Sequence, residues 1–365
     1  PVQTTTGGAV DATPNPTVCK SESALTFSET LLMSSDEQSI SSLVINPSAL
    51  QWYATKLNAA ATANRIDRGD LSPLTRTVGP TVGLNGALGE AAFVFPQGLA
   101  LSTVDGVLPP TGGCPGGRCF RVTTFTLGLS PTLTTIHPTA LGRQVESAIP
   151  VTTNPTTLFS FNADGVGNER MYNVPALGIL TGTTRAVPQG NGANAIGLHQ
   201  TQDIYVGNSS IPGQIERWTQ GAPPVFLASL ATSCPTLLSS VLVIPNTNSV
   251  YSGCLNRVNR MDLTTLTETA TNGATVNGAQ TYNAFAYDPN FSKLYLGING
   301  AASFTIYRLH PTTLAVEASL TQAVATAVVG VTRNHLGIDP VRGFLYIAGN
   351  TSTPGSYLSR VRYCS

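Results

Sequence analysis

Two late stretches decide the fold: AFAYDPNFSKLYLG at 284–297 followed by TIYRLHPTTLAV at 305–316, and LGIDPVRGFLYIAG at 336–349 followed by YLSRVRYC at 357–364. Both read as an apolar run, an Asp-Pro turn, a hydrophobic–Tyr pair, a gap, and Arg inside a second alternating run. β-Branched and aromatic residues at period two, cut by Gly, Pro and Asn, are strand signals. Pro and Asx preset the turns between them. A unit that recurs about every 45 residues cannot bury its apolar face alone and must stack against copies of itself.

The Tyr of the pair marks the copies: Tyr53, Tyr172, Tyr205, Tyr251, Tyr295 and Tyr346, the last five spaced by 33, 46, 44 and 51 residues. The interval of 119 residues between Tyr53 and Tyr172 leaves room for one more unit. AAFVFPQGLALSTV at 91–104 fills it, with Leu99 to Leu101 in place of the aromatic. Arg marks the third run of several copies: Arg65, Arg217, Arg260 and Arg308. Its regular spacing suits an architectural role, against the neighbouring Tyr or an Asp two residues on (Arg65 with Asp67, Arg260 with Asp262). Four short strands per unit is the blade of a β-propeller. The expectation is an all-β chain forming a single β-propeller of seven four-stranded blades, six being the competing count. A β-helix would need a shorter period, and a sandwich shows none so regular. The run at 23–33 alternates like a strand and belongs to no full unit, while the last unit is one strand short. The N-terminal strand is therefore expected to complete the C-terminal blade. Residues 1–20 read as an extended Thr/Pro/Gly-rich arm and 21–365 as the propeller.

Charged residues make up 10% of the chain and the net charge is zero, with lysine only at 20, 56 and 293; about a quarter is usual. Nucleic acid and anionic membranes need a basic footprint that is missing here. No apolar run approaches the roughly 18 residues of a membrane helix. The start at Pro-Val-Gln-Thr reads as a processed, mature chain. A neutral, weakly charged surface tends to associate, so either sugars hydrate this one or association is its purpose. The 48 threonines suit both strands and O-glycans.

Six cysteines point to an oxidising, extracellular compartment. Strand order within blades pairs them. Cys234, in a blade-to-blade connection, and Cys254, at the next strand 2–3 loop, share one face, the top. Cys114 and Cys119 staple the loop GGCPGGRCF. Cys19 and Cys364 meet on the bottom face, where their bond stands in for the missing turn between the last strand and the first, worth about 4–5 kcal/mol of loop-closure entropy. Three N-glycosylation sequons begin at Asn208, Asn290 and Asn350, all expected in exposed loops.

Catalytic equipment is sparse. The histidines 137, 199, 310 and 335 show no metal-ligand spacing, and nucleophile-elbow, dinucleotide and phosphate-loop motifs are missing. No cofactor and no metal is expected. The top ends of the first strands offer Glu90, Asn194, Asn283, Arg333, Asn334 and His335. That set resembles a thinned version of the lactonase and strictosidine-synthase-like propellers, which implies a metal-dependent hydrolase around Glu90 as the alternative reading. The repeat phrase itself resembles secreted propeller repeats of the NHL, YVTN and lactonase-like kind over 39–364. That likeness implies a fold and leaves activity open. The leading expectation is a secreted, non-enzymatic structural or interaction glycoprotein that self-associates into a fibre, coat or matrix. Its partners would be further copies of itself, met through the propeller faces and the N-terminal arm, which can add to a strand edge.

Overall fold

The computed structural model describes residues 19–33, 38–58, 63–84, 90–94, 98–105, 119–137, 147–151, 154–163, 168–175, 181–186, 193–198, 203–208, 212–235, 238, 240–244, 247–254, 257–272, 283–299, 303–323, 335–350 and 355–365. Among them the strands form seven four-stranded antiparallel sheets.

The first sheet holds β2 (Gln38–Asn46), β3 (Gln51–Asn58), β4 (Ala63–Asp70) and β5 (Thr81–Leu84). The second holds β6 (Glu90–Val94), β7 (Gly98–Asp105), β8 (Cys119–Phe125) and β9 (Pro131–His137). The third holds β10 (Ser147–Val151), β11 (Asn154–Ala163), β12 (Asn168–Pro175) and β13 (Thr181–Ala186). The fourth holds β14 (Ala193–Leu198), β15 (Asp203–Asn208), β16 (Gln214–Thr219) and β17 (Phe226–Ala231). The fifth holds β18 (Ser240–Ile244), β19 (Ser249–Cys254), β20 (Arg257–Asp262) and β21 (Glu268–Asn272). The sixth holds β22 (Asn283–Asp288), β23 (Lys293–Asn299), β24 (Ser303–Leu309) and β25 (Val316–Ala323). The seventh draws on both ends of the chain: β26 (His335–Asp339), β27 (Phe344–Asn350) and β28 (Ser356–Cys364) are completed by β1 (Glu22–Leu32), which pairs with β28 from Glu22↔Cys364 to Leu32↔Tyr357.

The first strands of consecutive sheets touch one another from β2 through β6, β10, β14, β18 and β22 to β26, and β26 in turn touches β2. The apolar cores lie between neighbouring sheets. Trp52 and Ala54 of the first sheet pack on Tyr346 and Leu358 of the seventh. Tyr251 and Val258 of the fifth pack on Leu294 and Leu309 of the sixth. Burying both faces explains the near-continuous apolar inner strands, while outer strands such as β17, β21 and β25 alternate half-buried and exposed positions. The fold is all-β and propeller-like.

Two sequence-level assignments change. Met171 and Tyr172 belong to β12, the third strand of its sheet; its second strand is β11, which carries Phe159 and no Tyr. A hydrophobic–Tyr pair satisfies either inner strand, which is why the interval to Tyr205 looked short. In the first sheet the Arg opposite Tyr53 is Arg68, three residues beyond Arg65.

Candidate functional site

The recurring Tyr and Arg form a joint between sheets. They sit opposite each other on the second and third strands: Tyr53↔Arg68, Tyr205↔Arg217, Tyr251↔Arg260, Tyr295↔Arg308 and Tyr346↔Arg360. Several of them donate to main-chain carbonyls of the next sheet's strand 3–4 turn. Tyr53 Oη reaches Leu127 O at 3.1 Å, Tyr205 Oη reaches Leu263 O at 3.0 Å and Tyr251 Oη reaches Pro311 O at 2.9 Å. Arg68 reaches Leu127 O at 3.3 Å, Arg217 reaches Thr264 O at 3.3 Å and Arg360 reaches Leu71 O at 2.7 Å.

The acceptor turns are shaped by the Thr-Thr-Leu phrase. Asp262 Oδ1 accepts from the Thr264 and Thr265 amides at 2.8 Å each, and His310 Nδ1 accepts from the Thr312 and Thr313 amides. Those amide bonds, Thr265 first, hold the Asp262 carboxyl below its ordinary range. Leu129, Leu266 and Leu314 close their turns with φ of 67°, 51° and 59°. His310 is thus a turn cap. Arg65 pairs with Asp67 at 2.7 Å. Arg260 does not bond to Asp262 in the way its spacing suggested; its Nε donates to Ser249 Oγ and its other arm to Thr269.

Cys19 is bonded to Cys364, across the seam between the chain's two ends, and Cys234 to Cys254. The seventh sheet has no strand 3–4 turn, because its third and fourth strands come from opposite ends of the chain, and the seam disulfide occupies that place. The Arg308 guanidinium accordingly donates to Ser23 O of β1. Cys119 begins β8, whereas Cys114 and the stapled loop lie outside the described residues.

The three sequons differ. Asn290 is exposed in the strand 1–2 turn of the sixth sheet, its Nδ2 donating to Pro340 O at 3.1 Å. Asn208 ends β15, its side chain outside the described residues. Asn350 is a correction: it is only 4% exposed, and its Oδ1 accepts from the Ile40 amide at 2.8 Å across the seventh and first sheets. A position used to join two sheets has no room for a glycan in the folded chain.

The described wall of the space between the first strands is apolar. A cavity of about 510 Å³ is lined by Leu43, Leu242, Phe285, Tyr287, Leu336 and Ile338 among others. Glu90, Asn194 and Asn283 lie on β6, β14 and β22, with side chains outside the described residues, as Arg333 and Asn334 are altogether. His335 starts β26. Among the described residues no three His, Cys, Asp or Glu side chains gather as metal ligands. No helix among them is long and apolar enough to cross a membrane. Residues 1–18, the arm, are also outside the described set.

Sequence reasoning missed the outer edge of the fourth sheet. Val225 and Leu227, two residues apart on its entry, are 52% and 46% exposed. The signal was available: FLASLA at 226–231 has no charge, unlike β1, β21 or β25.

No protein-family model matches the chain, and no curated protein does. Among solved structures it is similar to a chain of a structure titled "Crystal Structure of Mitotic Checkpoint Complex", with a TM-score of 0.63 and 10% identity over 100% of both chains. The matched chain is a WD40-type propeller. At that identity the likeness concerns fold alone.

Proposed function

We propose that this chain is a secreted, seven-bladed β-propeller, closed by its N-terminal strand, that serves as a non-enzymatic structural glycoprotein and self-associates into an extracellular fibre, coat or matrix. The observation that carries the reading is the seam. A disulfide stands where a covalent turn would be, a device that persists only in an oxidising compartment. The cyclic contacts of the first strands support ring closure. A chain with only 10% charged residues supports association, and Asn290 offers an exposed glycan position, whose Nδ2 keeps one proton for the bond to Pro340 O after glycosylation.

The test compares full-length protein with a variant lacking residues 1–18, by light scattering and negative-stain imaging. The expected result is higher-order species from the full chain and monomers from the shortened one. A full chain that stays monomeric at high concentration overturns the reading. Intact mass before and after enzymatic removal of N-glycans from protein purified from its source reads the glycoprotein component, and an unglycosylated Asn290 removes it there.

A further inference from the structure

The edge of β17 has the physical character of an acceptor for an added strand. Among the described residues β17 pairs with β16 alone in the fourth sheet, so one row of its backbone donors and acceptors faces outward. Outer strands are usually guarded against pairing by charge, proline or brevity. The other outer strands of this chain carry such guards: Glu22 and Glu29 in β1, Glu268 in β21, Glu317 in β25, Arg185 in β13, Pro131 in β9, and only four residues in β5. β17 has six residues without charge or proline, and the exposed apolar pair Val225 and Leu227 stands at its start.

The edge is also held still. Cys234, three residues beyond β17, is bonded to Cys254 of the fifth sheet. The Thr232 amide donates to Gly213 O at 2.8 Å, and the Gly213 amide donates to Cys234 O at 3.1 Å. At the other end the Thr219 amide donates to Val225 O at 2.9 Å, and Thr183 of the third sheet donates to Pro224 O. A fixed strand loses little entropy on accepting a partner.

We infer that the outer edge of β17 takes the N-terminal arm of a second copy of this chain as an added β-strand. The inference rests on the self-association proposed above and names its acceptor. The arm suits the edge chemically: PVQTTT at 1–6 has no charged side chain and is rich in β-branched residues, with Gly-Gly after it to let the chain turn. Its exit point favours a second copy over its own edge. The arm joins the sheets at Cys19, bonded to Cys364 and donating its amide to Val341 O at 2.9 Å, all in the seventh sheet. In the cyclic order of first strands the fourth sheet lies across from the seventh. A donor on one side and an acceptor on the other make a heterologous contact, which propagates as a filament unless the rotation closes.

The experiment uses full-length protein, the variant lacking residues 1–18, and a full-length Leu227→Lys, Ser229→Lys variant that places two charges on exposed positions of β17. A labelled synthetic peptide of residues 1–18 is titrated into the shortened protein, with hydrogen exchange followed at β17. Expected are saturable peptide binding, slowed exchange confined to the β17 edge, and binding weakened about tenfold or more by the two lysines, with assembly of the full-length variant lost to match. Circular dichroism and the thermal midpoint of that variant confirm that it folds. Arm-dependent assembly that survives the lysines overturns this inference and leaves the self-association reading standing. Slowed exchange at β17 in a full-length protein that stays monomeric at every concentration shows the arm on its own edge and overturns both. Absence of both assembly and peptide binding likewise overturns both.

Discussion

Breaking the seam disulfide has a cost that can be worked from chain length. Cys19 and Cys364 are 345 residues apart, Cys234 and Cys254 only 20. At that separation loop-closure entropy puts the first at about 5–6 kcal/mol, above the roughly 4–5 kcal/mol expected from the sequence, and the second at about 3 kcal/mol. For 365 residues, an unfolding entropy of about 2 cal/mol/K per residue converts these into losses of about 7 °C and about 4 °C in thermal midpoint. The assay uses two double variants, Cys234→Ala with Cys254→Ala and Cys19→Ala with Cys364→Ala. Each is melted oxidised and reduced, so that both arms of a comparison bury the same atoms. Whatever Cys114 and Cys119 contribute is common to both variants and cancels in the difference between them. Reduction should cost the seam-bearing variant about 2 kcal/mol more than the other. Equal losses, or a larger loss in the variant that keeps the Cys234–Cys254 bond and lacks the seam, would refute the idea that the seam acts by closing the chain on itself.

Three further outcomes follow from the joints and turns. Tyr251→Phe removes the bond to Pro311 O across the fifth and sixth sheets and should lower stability by about 1 kcal/mol in equilibrium denaturation, leaving the far-ultraviolet spectrum unchanged. Leu50 and Leu314 both have positive φ, 55° and 59°, but Leu50 is 39% exposed and Leu314 0%. Leu50→Gly should be neutral or stabilising by up to about 1 kcal/mol, while Leu314→Gly should cost about 2–4 kcal/mol in the same measurement. Burial, aided by Asp288 and Asp339 respectively, raises the hydroxyl pKa of Tyr295 and Tyr346, and burial alone raises that of Tyr357. A phenol whose folded value lies above its unfolded value of about 10 contributes stability that is intact below that pH and lost above it. Stability should therefore fall steeply above about pH 10, with tyrosinate absorbance rising together with unfolding; phenols titrating in the intact fold would contradict the assignment.

The strand-turn-strand phrase was readable because its turns carry their own chemistry. Asp288 and Asp339 cap the turns that their Asp-Pro pairs announce, accepting from the amides of Asn290 and of Val341 and Arg342. What stayed hidden depends on neighbours in space. Nothing local distinguishes Tyr172 on a third strand from Tyr205 on a second, because both are inner strands of four-stranded sheets. Asn350 looks like any sequon until the first sheet brings the Ile40 amide against it. The Tyr and Arg spacing read as architectural, but its purpose became visible only with the adjacent turn in place. The exposed side of β17 was overlooked because an apolar, uncharged run reads as core.

The joints also have a direction. Those described run one way round, from the second or third strand of one sheet to the turn of the next, and the turn missing from the seventh sheet leaves Arg308 with Ser23 O. The ring is thus a chain of latches in which one catch was never made. Joining β28 to β1 through a Thr-Thr-Leu turn and opening the chain at another strand 3–4 turn would move that gap without changing a sheet. Where the latch is missing would then be a property of where the chain is opened, and the disulfide would be needed at the new gap instead of the old one.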